Sequence, residues 1–165
     1  MASLTLGGNP VQTKGDLPAN GSDLSAIQLV DIDLSVYPLS SLKGKKVVLN
    51  IFPSIDTGVC ATSVRTFNEK ASTMEGAVVV NVSKDLPFAQ KRFCGAEGID
   101  GVRMGSDFRF GDFSEHVGID MVDGKLAGLM SRAIIVLDEE GKVIYTEQVP
   151  DIGQEPNYDA AMAVL

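Results

Sequence analysis

The chain has 165 residues, 44% of them hydrophobic, which suits one domain with a sizeable core over residues 1–165 and is too apolar for a disordered segment. Its formal net charge of -8, from 22 acidic and 14 basic residues, works against attraction to phosphate backbones, so no nucleic-acid partner is expected. The opening MASLTLGGNPVQTKG lacks a basic stretch followed by a sustained apolar run, and no later segment approaches membrane-spanning length; a cytoplasmic protein with no membrane partner is expected.

In chain order, β-prone runs on either side of Gly7, Gly8, Asn9 and Pro10 predict a small N-terminal β-hairpin. Residues 15–25 turn to Gly, Pro, Asn, Asp and Ser, the composition of a surface connection. Alternation from Gln28 to Leu34 predicts a strand or two before a turn near Gly44. Val47–Phe52 is an apolar run broken only by Asn50, the pattern of a central strand covered on both faces, and Pro53 stops it. A helix is expected from Asp56 or Thr57, because either side chain can accept from an unpaired first-turn N–H. Cys60, Val64, Phe67, Ala71 and Met74 then share one face, and Gly76 offers a stop.

Ala77–Val82 reads as a second central strand, followed by a short helix from Leu86 or Pro87 toward Cys94 with Phe88, Ala89 and Phe93 as its apolar members. A short strand near Val102–Met104 and at most one short helix are expected in the glycine- and aromatic-rich stretch that follows; the aromatics between Phe88 and Phe113 can line a pocket or an interface, with a core role expected for most of them. Ala133–Leu137 and Lys142–Val149, separated by DEEG, form a hairpin, and a last helix starts near Pro156 with Tyr158, Ala161, Met162 and Leu165. This order predicts an α/β fold with a central mixed sheet flanked by helices on both faces.

The chemistry centres on the stretch FPSIDTGVCATSVRTFN. LTLGGNP lacks the spacing and lysine of a phosphate loop, and VVLNIFPSIDTG lacks the glycines of a dinucleotide site. Two cysteines, Cys60 and Cys94, are too few for a disulfide framework. Cys60 lies about one turn into its helix, where unpaired N–H groups and the helix dipole favour a thiolate. Its place on a face with Val64 and Phe67 equally fits an inert buried cysteine. Thr57 is an N-cap or a hydroxyl near the sulfur.

Cys94, 34 positions after Cys60, forms no CxxC pair with it; Lys91 and Arg92 beside it are either thiolate partners or ordinary charges late in a helix. Arg132 opens an apolar strand, a position that favours snorkelling to solvent over stabilising an anion in a cleft. Arg65 can support the helix or pair with Glu69. His116 with the scattered cysteines makes no metal site, and Asp138, Glu139 and Glu140 read as a solvated turn.

NIFPSIDTGVCATSVRTFN, SKDLPFAQKRFC, RAIIVLDEEGKVIY and EPNYDAAMAVL together resemble, across the whole chain, the bacterial thiol peroxidase branch of the peroxiredoxins, the atypical two-cysteine peroxiredoxins. The resemblance implies a thioredoxin-like fold, Cys60 as peroxidatic and Cys94 as resolving cysteine, and an intramolecular disulfide between them. It implies that Pro53 shapes the pocket, that Thr57 hydrogen-bonds at the sulfur and peroxide, and that Arg132 stabilises the thiolate and orients the peroxide, which reverses the local reading of Arg132. It further implies hydrogen peroxide and alkyl or lipid hydroperoxides as substrates, thioredoxin as reductant, a homodimer and no bound cofactor. A noncatalytic redox-regulatory protein of the same fold is the alternative, and disulfide exchange on protein substrates is disfavoured by the missing CxxC.

Overall fold

The computed structural model describes residues 1–165. Strands β1 (Ser3–Leu6) and β2 (Asn9–Gln12) form the expected hairpin as a separate antiparallel pair. The turn needs positive φ at both central residues, and Gly7 and Gly8 supply it at 57° and 84°. The chain then enters the main sheet through β3 (Gln28–Val30) and β4 (Val36–Pro38), a short antiparallel pair within the stretch expected to hold a strand or two. Leu24 and Ile27, just ahead of β3, are buried, so the connection expected to lie on the surface is anchored in the core at its end.

The remaining elements are β5 (Lys46–Ile51), α1 (Gly58–Ala71), β6 (Ala77–Ser83), α2 (Pro87–Glu97), β7 (Arg103–Ser106), α3 (Asp112–Val117), β8 (Ala133–Leu137), β9 (Val143–Gln148) and α4 (Tyr158–Met162). The seven-stranded sheet runs β4-β3-β7-β6-β5-β8-β9, with β5, β6 and β7 mutually parallel and β8 antiparallel to β5. The apolar runs of β5 and β6 thus occupy the middle of the sheet, where both faces are covered. Helix α1 ends at Ala71, so Met74 packs from the turn after it.

Alternation along the strands divides the core. Val47, Leu49, Ile51, Val80, Val82 and Ile135 meet Phe113 and Val117 of α3 on one face. Val48, Val79, Ile134 and Val136 meet Phe67 of α1 and Ala161 of α4 on the other. Asn50 and Asn81 interrupt the apolar runs for a structural reason: the Asn50 amide donates to Asn81 Oδ1 (2.9 Å) and to Ser63 Oγ of α1 (3.1 Å), tying helix to sheet. The architecture is the thioredoxin-like α/β fold, a mixed sheet with helices on both faces and an N-terminal β-hairpin. No helix is long and apolar enough to cross a membrane.

Candidate active site

The end of β5 leads through buried Phe52 and Pro53 into a tight turn. Thr57 holds extended backbone angles at the N-cap position of α1, but its hydroxyl donates to the Ser54 carbonyl (3.0 Å) and caps no helical N–H. That corrects the expectation of a side-chain cap. The first helical bond runs from the Ala61 N–H to the Thr57 carbonyl (3.0 Å), so the amides of Gly58, Val59 and Cys60 precede any intrahelical acceptor. Cys60 is the third residue of α1, and its side chain is fully buried.

Arg132 reaches this turn from the opposite side. It directly precedes β8, where its carbonyl accepts from the Val149 N–H (3.1 Å) and Gln148 Nε2 (2.9 Å). Its Nε donates to the Ile152 carbonyl (2.9 Å) and its Nη2 to Cys60 Sγ (3.2 Å), while Nη1 is buried without an acceptor. Only 1% of Arg132 is exposed. The snorkelling position suggested by strand pattern is therefore wrong: the 149–153 segment folds over the side chain and supplies the carbonyl that holds it.

A cleft of about 170 Å³ opens onto this corner. Pro53, Thr57, Gly58, Val59 and Arg132 line it together with Leu6, Leu126, Ile152 and Gly153. Leu6 comes from the N-terminal hairpin, which is fastened there by Thr5 N–H to the Pro150 carbonyl and Ile152 N–H to the Thr5 carbonyl, each 2.9 Å. Cys60 itself is fully buried and is not among the lining residues, but its sulfur is bonded by Arg132, which is.

Cys94 lies on α2, half-buried, and both thiols are free. Phe52, Ile55, Cys60, Val64 and Met104 form one apolar cluster against which Phe93, Cys94 and Ile99 pack, so the two cysteines share a hydrophobic neighbourhood without being bonded. Burial, and secondly the Asp31 carboxylate, push the Cys94 thiol up from its ordinary value.

The charges around the two helices pair differently from expectation. Arg65 makes a two-pronged pair with Glu97 of α2 (2.9 Å for each bond) rather than with Glu69, and Arg92 reaches Asp56 (3.3 Å) on the turn before α1. His116 pairs on the surface with Asp112 (3.0 Å), and Asp138 accepts from Glu140 and Lys142 N–H in the β8–β9 turn, a structural role. Phe88 is 65% exposed and does not serve as a packing residue of α2. Of the aromatics expected in the core between Phe88 and Phe113, only Phe113 is buried.

The structure thus brings Pro53, Thr57, Cys60 and Arg132 together at one corner and leaves Cys94 on the neighbouring helix. Sequence reasoning passed over Leu6, Leu126, the Ile152 carbonyl and Asp85. Asp85 accepts from Ser54 Oγ and the Ile55 N–H (2.7 Å each), which binds the Cys60 turn to the start of α2. An acidic residue just before Leu86-Pro87 is a recognisable helix-start signal, but nothing local links it to Ser54.

The Redoxin family model matches residues 16–162. The chain is 56% identical over all 165 residues to the thiol peroxidase of Mycobacterium tuberculosis (strain ATCC 25618 / H37Rv), covering 99% of that protein. It is 50% identical to the thiol peroxidase of Corynebacterium glutamicum, again over its whole length and 99% of the relative. Among solved structures, a peroxiredoxin-like protein from Aquifex aeolicus superposes with a TM-score of 0.92 at 40% identity, over 99% of this chain and 95% of that one. A fold motif, a full-length sequence match and a buried thiol beside a guanidinium agree: the chain belongs to the Redoxin family and, within it, to the thiol peroxidases, peroxiredoxin enzymes.

Proposed function

We propose that Cys60 is the nucleophile that reduces the peroxide and that Cys94 resolves the product on the same chain. The observation that carries this reading is the 3.2 Å contact from Arg132 Nη2 to Cys60 Sγ at the first turn of α1, beside the cleft. The thiolate attacks the terminal peroxide oxygen; the S–O bond forms as the O–O bond breaks, and the electron pair leaves on the other oxygen, which takes a proton as water or alcohol. Charge moves from sulfur to the leaving oxygen. Arg132 and the unpaired amides of the first helical turn are fixed donors for that shift, so they need no reorganisation during the step. With its proton committed to the Ser54 carbonyl, the Thr57 hydroxyl has lone pairs left to accept from the peroxide O–H. Pro53 forms part of the wall that keeps water from the sulfur.

The Cys60 sulfenic acid is then attacked by the Cys94 thiolate, the S–O bond breaks, hydroxide leaves as water, and an intramolecular disulfide remains. The two thiols sit on separate helices and are unbonded, and in this reading one or both helix ends rearrange as the bond forms; superimposable reduced and oxidised backbones there would overturn it. Thioredoxin, an external dithiol, reduces the disulfide by exchange in the cytoplasm. Leu6, Val59, Leu126 and Ile152 give the cleft apolar lining suited to the carbon chain of alkyl or lipid hydroperoxides as well as to hydrogen peroxide.

A homodimer is supported by exposed apolar side chains that leave one end of the sheet side by side. Leu86 and Phe88 follow β6, and Phe108 and Phe110 follow β7, with exposures of 40 to 65%. The two segments are joined by the Asp107 N–H to the Ser83 carbonyl (3.0 Å). Apolar side chains exposed on neighbouring segments are candidates for an interface with a second copy of the chain.

The test is peroxide consumption with thioredoxin, its reductase and NADPH. Cys60→Ser should abolish turnover. Cys94→Ser should still consume about one equivalent of peroxide per chain but lose thioredoxin-linked cycling; native cycling in either variant overturns the assignment of that cysteine.

A further inference from the structure

Asp85 lies outside the cleft and outside the catalytic steps above, yet it is the most heavily used acceptor near the two cysteines. Its Oδ1 accepts from Ser54 Oγ (2.7 Å), and its Oδ2 from the Ile55 N–H (2.7 Å) and Ser83 Oγ (2.6 Å). Its own carbonyl accepts from Ser106 Oγ at the end of β7. Ser83 Oγ is in turn held by Gln90 Nε2 of α2 (3.2 Å), and Gln90 is fully buried. The carboxylate therefore joins the end of β6 to the turn that presents Thr57 and the free amides of Gly58, Val59 and Cys60, while the backbone carbonyl of the same residue ties in the end of β7. It stands immediately before Leu86, the N-cap residue of the helix that carries Cys94.

The bonds to Ser54 and Ile55 are the only side-chain hydrogen bonds between the Pro53–Thr57 turn and the β6–α2 segment other than the exposed Arg92–Asp56 pair. Without them the turn is held by its own internal bonds, from the Thr57 N–H and hydroxyl to the Ser54 carbonyl, and by Ile55 packing. The position of the turn relative to Arg132, which is fixed from the other side of the site by Ile152, would then loosen. Misplacement of reacting groups by about 1 Å is enough to slow a reaction by up to about a hundredfold.

We propose that Asp85 is a positioning residue that clasps the Cys60 turn to the root of the Cys94 helix and holds the peroxide-reactive arrangement, at the expense of disulfide formation. This rests on the assignment of Cys60 as the nucleophile and Cys94 as its resolving partner. The clasp favours attack on peroxide, because it fixes donors around the sulfur. It opposes the following step, because the same turn and helix must move before the sulfurs meet. Its loss should act on the two steps in opposite directions, which general destabilisation does not do.

The two rates are separable in the full-length chain. Oxidation of Cys60 by hydrogen peroxide is followed by acid quench and intact mass in a Cys94→Ser background, and disulfide formation in the chain with both cysteines by rapid alkylation of remaining thiols. With Asp85→Ala the first rate should fall about tenfold and the second should hold or rise. Ser54→Ala, which removes one of the three donors and leaves the carboxylate bound by Ile55 and Ser83, should lower the first rate by about threefold while the second holds or rises, and it decides the matter if Asp85→Ala does not fold. Equal slowing of both steps, or no change in the first, overturns the clasp. A Cys60→Ser control oxidised as fast as the native chain would instead overturn the underlying assignment, so the two failures are distinguishable.

Discussion

Arg132 is a cation placed where the hydrophobic core would ordinarily admit none. Burying a guanidinium sacrifices several kcal/mol of hydration, and here only the Ile152 carbonyl and the Cys60 sulfur are bonded to it, with Nη1 left unpaired. A group held in that state gains little stability from its partners, which fits the proposed role of Arg132 at the sulfur. A lysine cannot span both partners with one planar fork. Arg132→Lys should therefore lower the second-order rate with peroxide by about a hundredfold while circular dichroism stays native; a rate within twofold of native would remove Arg132 from the peroxide step. Cys94 gives a pH prediction. Burial first and Asp31 second raise its folded value, so at neutral pH less thiolate is present than for a free thiol. Disulfide formation should accelerate as pH rises through the thiol range, and Asp31→Asn should move that profile to lower pH, measured by the same alkylation assay. The stability sign follows: the native thiol holds its proton more tightly than the unfolded one, so its contribution is full below the unfolded value and is lost as pH rises through the raised folded value.

Among the elements, the junction of α1 and α2 is polar on its surface and apolar beneath. Arg65–Glu97 and Arg92–Asp56 bridge it in solvent, where salt screens them. If these pairs restrain the helices, raising ionic strength should speed disulfide formation, an effect that Arg65→Ala should diminish; an unchanged salt response in that variant would show that the pair imposes no restraint. Strand β7 is held against β3 and β4 by close contact. A Cβ at Gly105 would lie 2.7 Å from Leu29 Cδ1 and 2.9 Å from Tyr37 Oη, and the Tyr37 hydroxyl is already committed to the Met104 carbonyl (2.7 Å). Gly105→Ala should destabilise by about 1–3 kcal/mol, readable as a lower urea midpoint with an unchanged slope. The main strands and helices were legible in order because apolar periodicity, Gly and Pro mark them locally, whereas the 3-10 turn at Leu39–Leu42 was not expected and α3 only as at most a short helix. The ends of α1 and α4 were not, since helix termini depend on what the last turn packs against.

For the whole molecule, the exposed set Leu86, Phe88, Phe108 and Phe110 is the strongest indication of self-association. Phe88→Asp combined with Phe108→Asp should convert a dimer to a monomer in analytical ultracentrifugation, with the monomer still folded; an unchanged sedimentation coefficient would place the interface elsewhere. Sequence pattern assigned these aromatics to the core because hydrophobicity carries no direction. Their exposure follows from where the segments after β6 and β7 leave the sheet.

The linear pattern sufficed for the α/β order, the central strands, the helix that begins near Cys60 and, through the motifs shared with thiol peroxidases, the pairing of Cys60 with Cys94 and Arg132 as an expectation. It did so because strand and helix periods and helix-start residues act over a few positions. Folding was needed to show Arg132 bonded to Cys60 across 72 positions, Asp85 bonded to Ser54 across 31, and Leu6 of the hairpin in the lining of the cleft. Those contacts join residues whose neighbours in the chain say nothing about one another, and their geometry exists only once β5, β6 and β8 lie side by side.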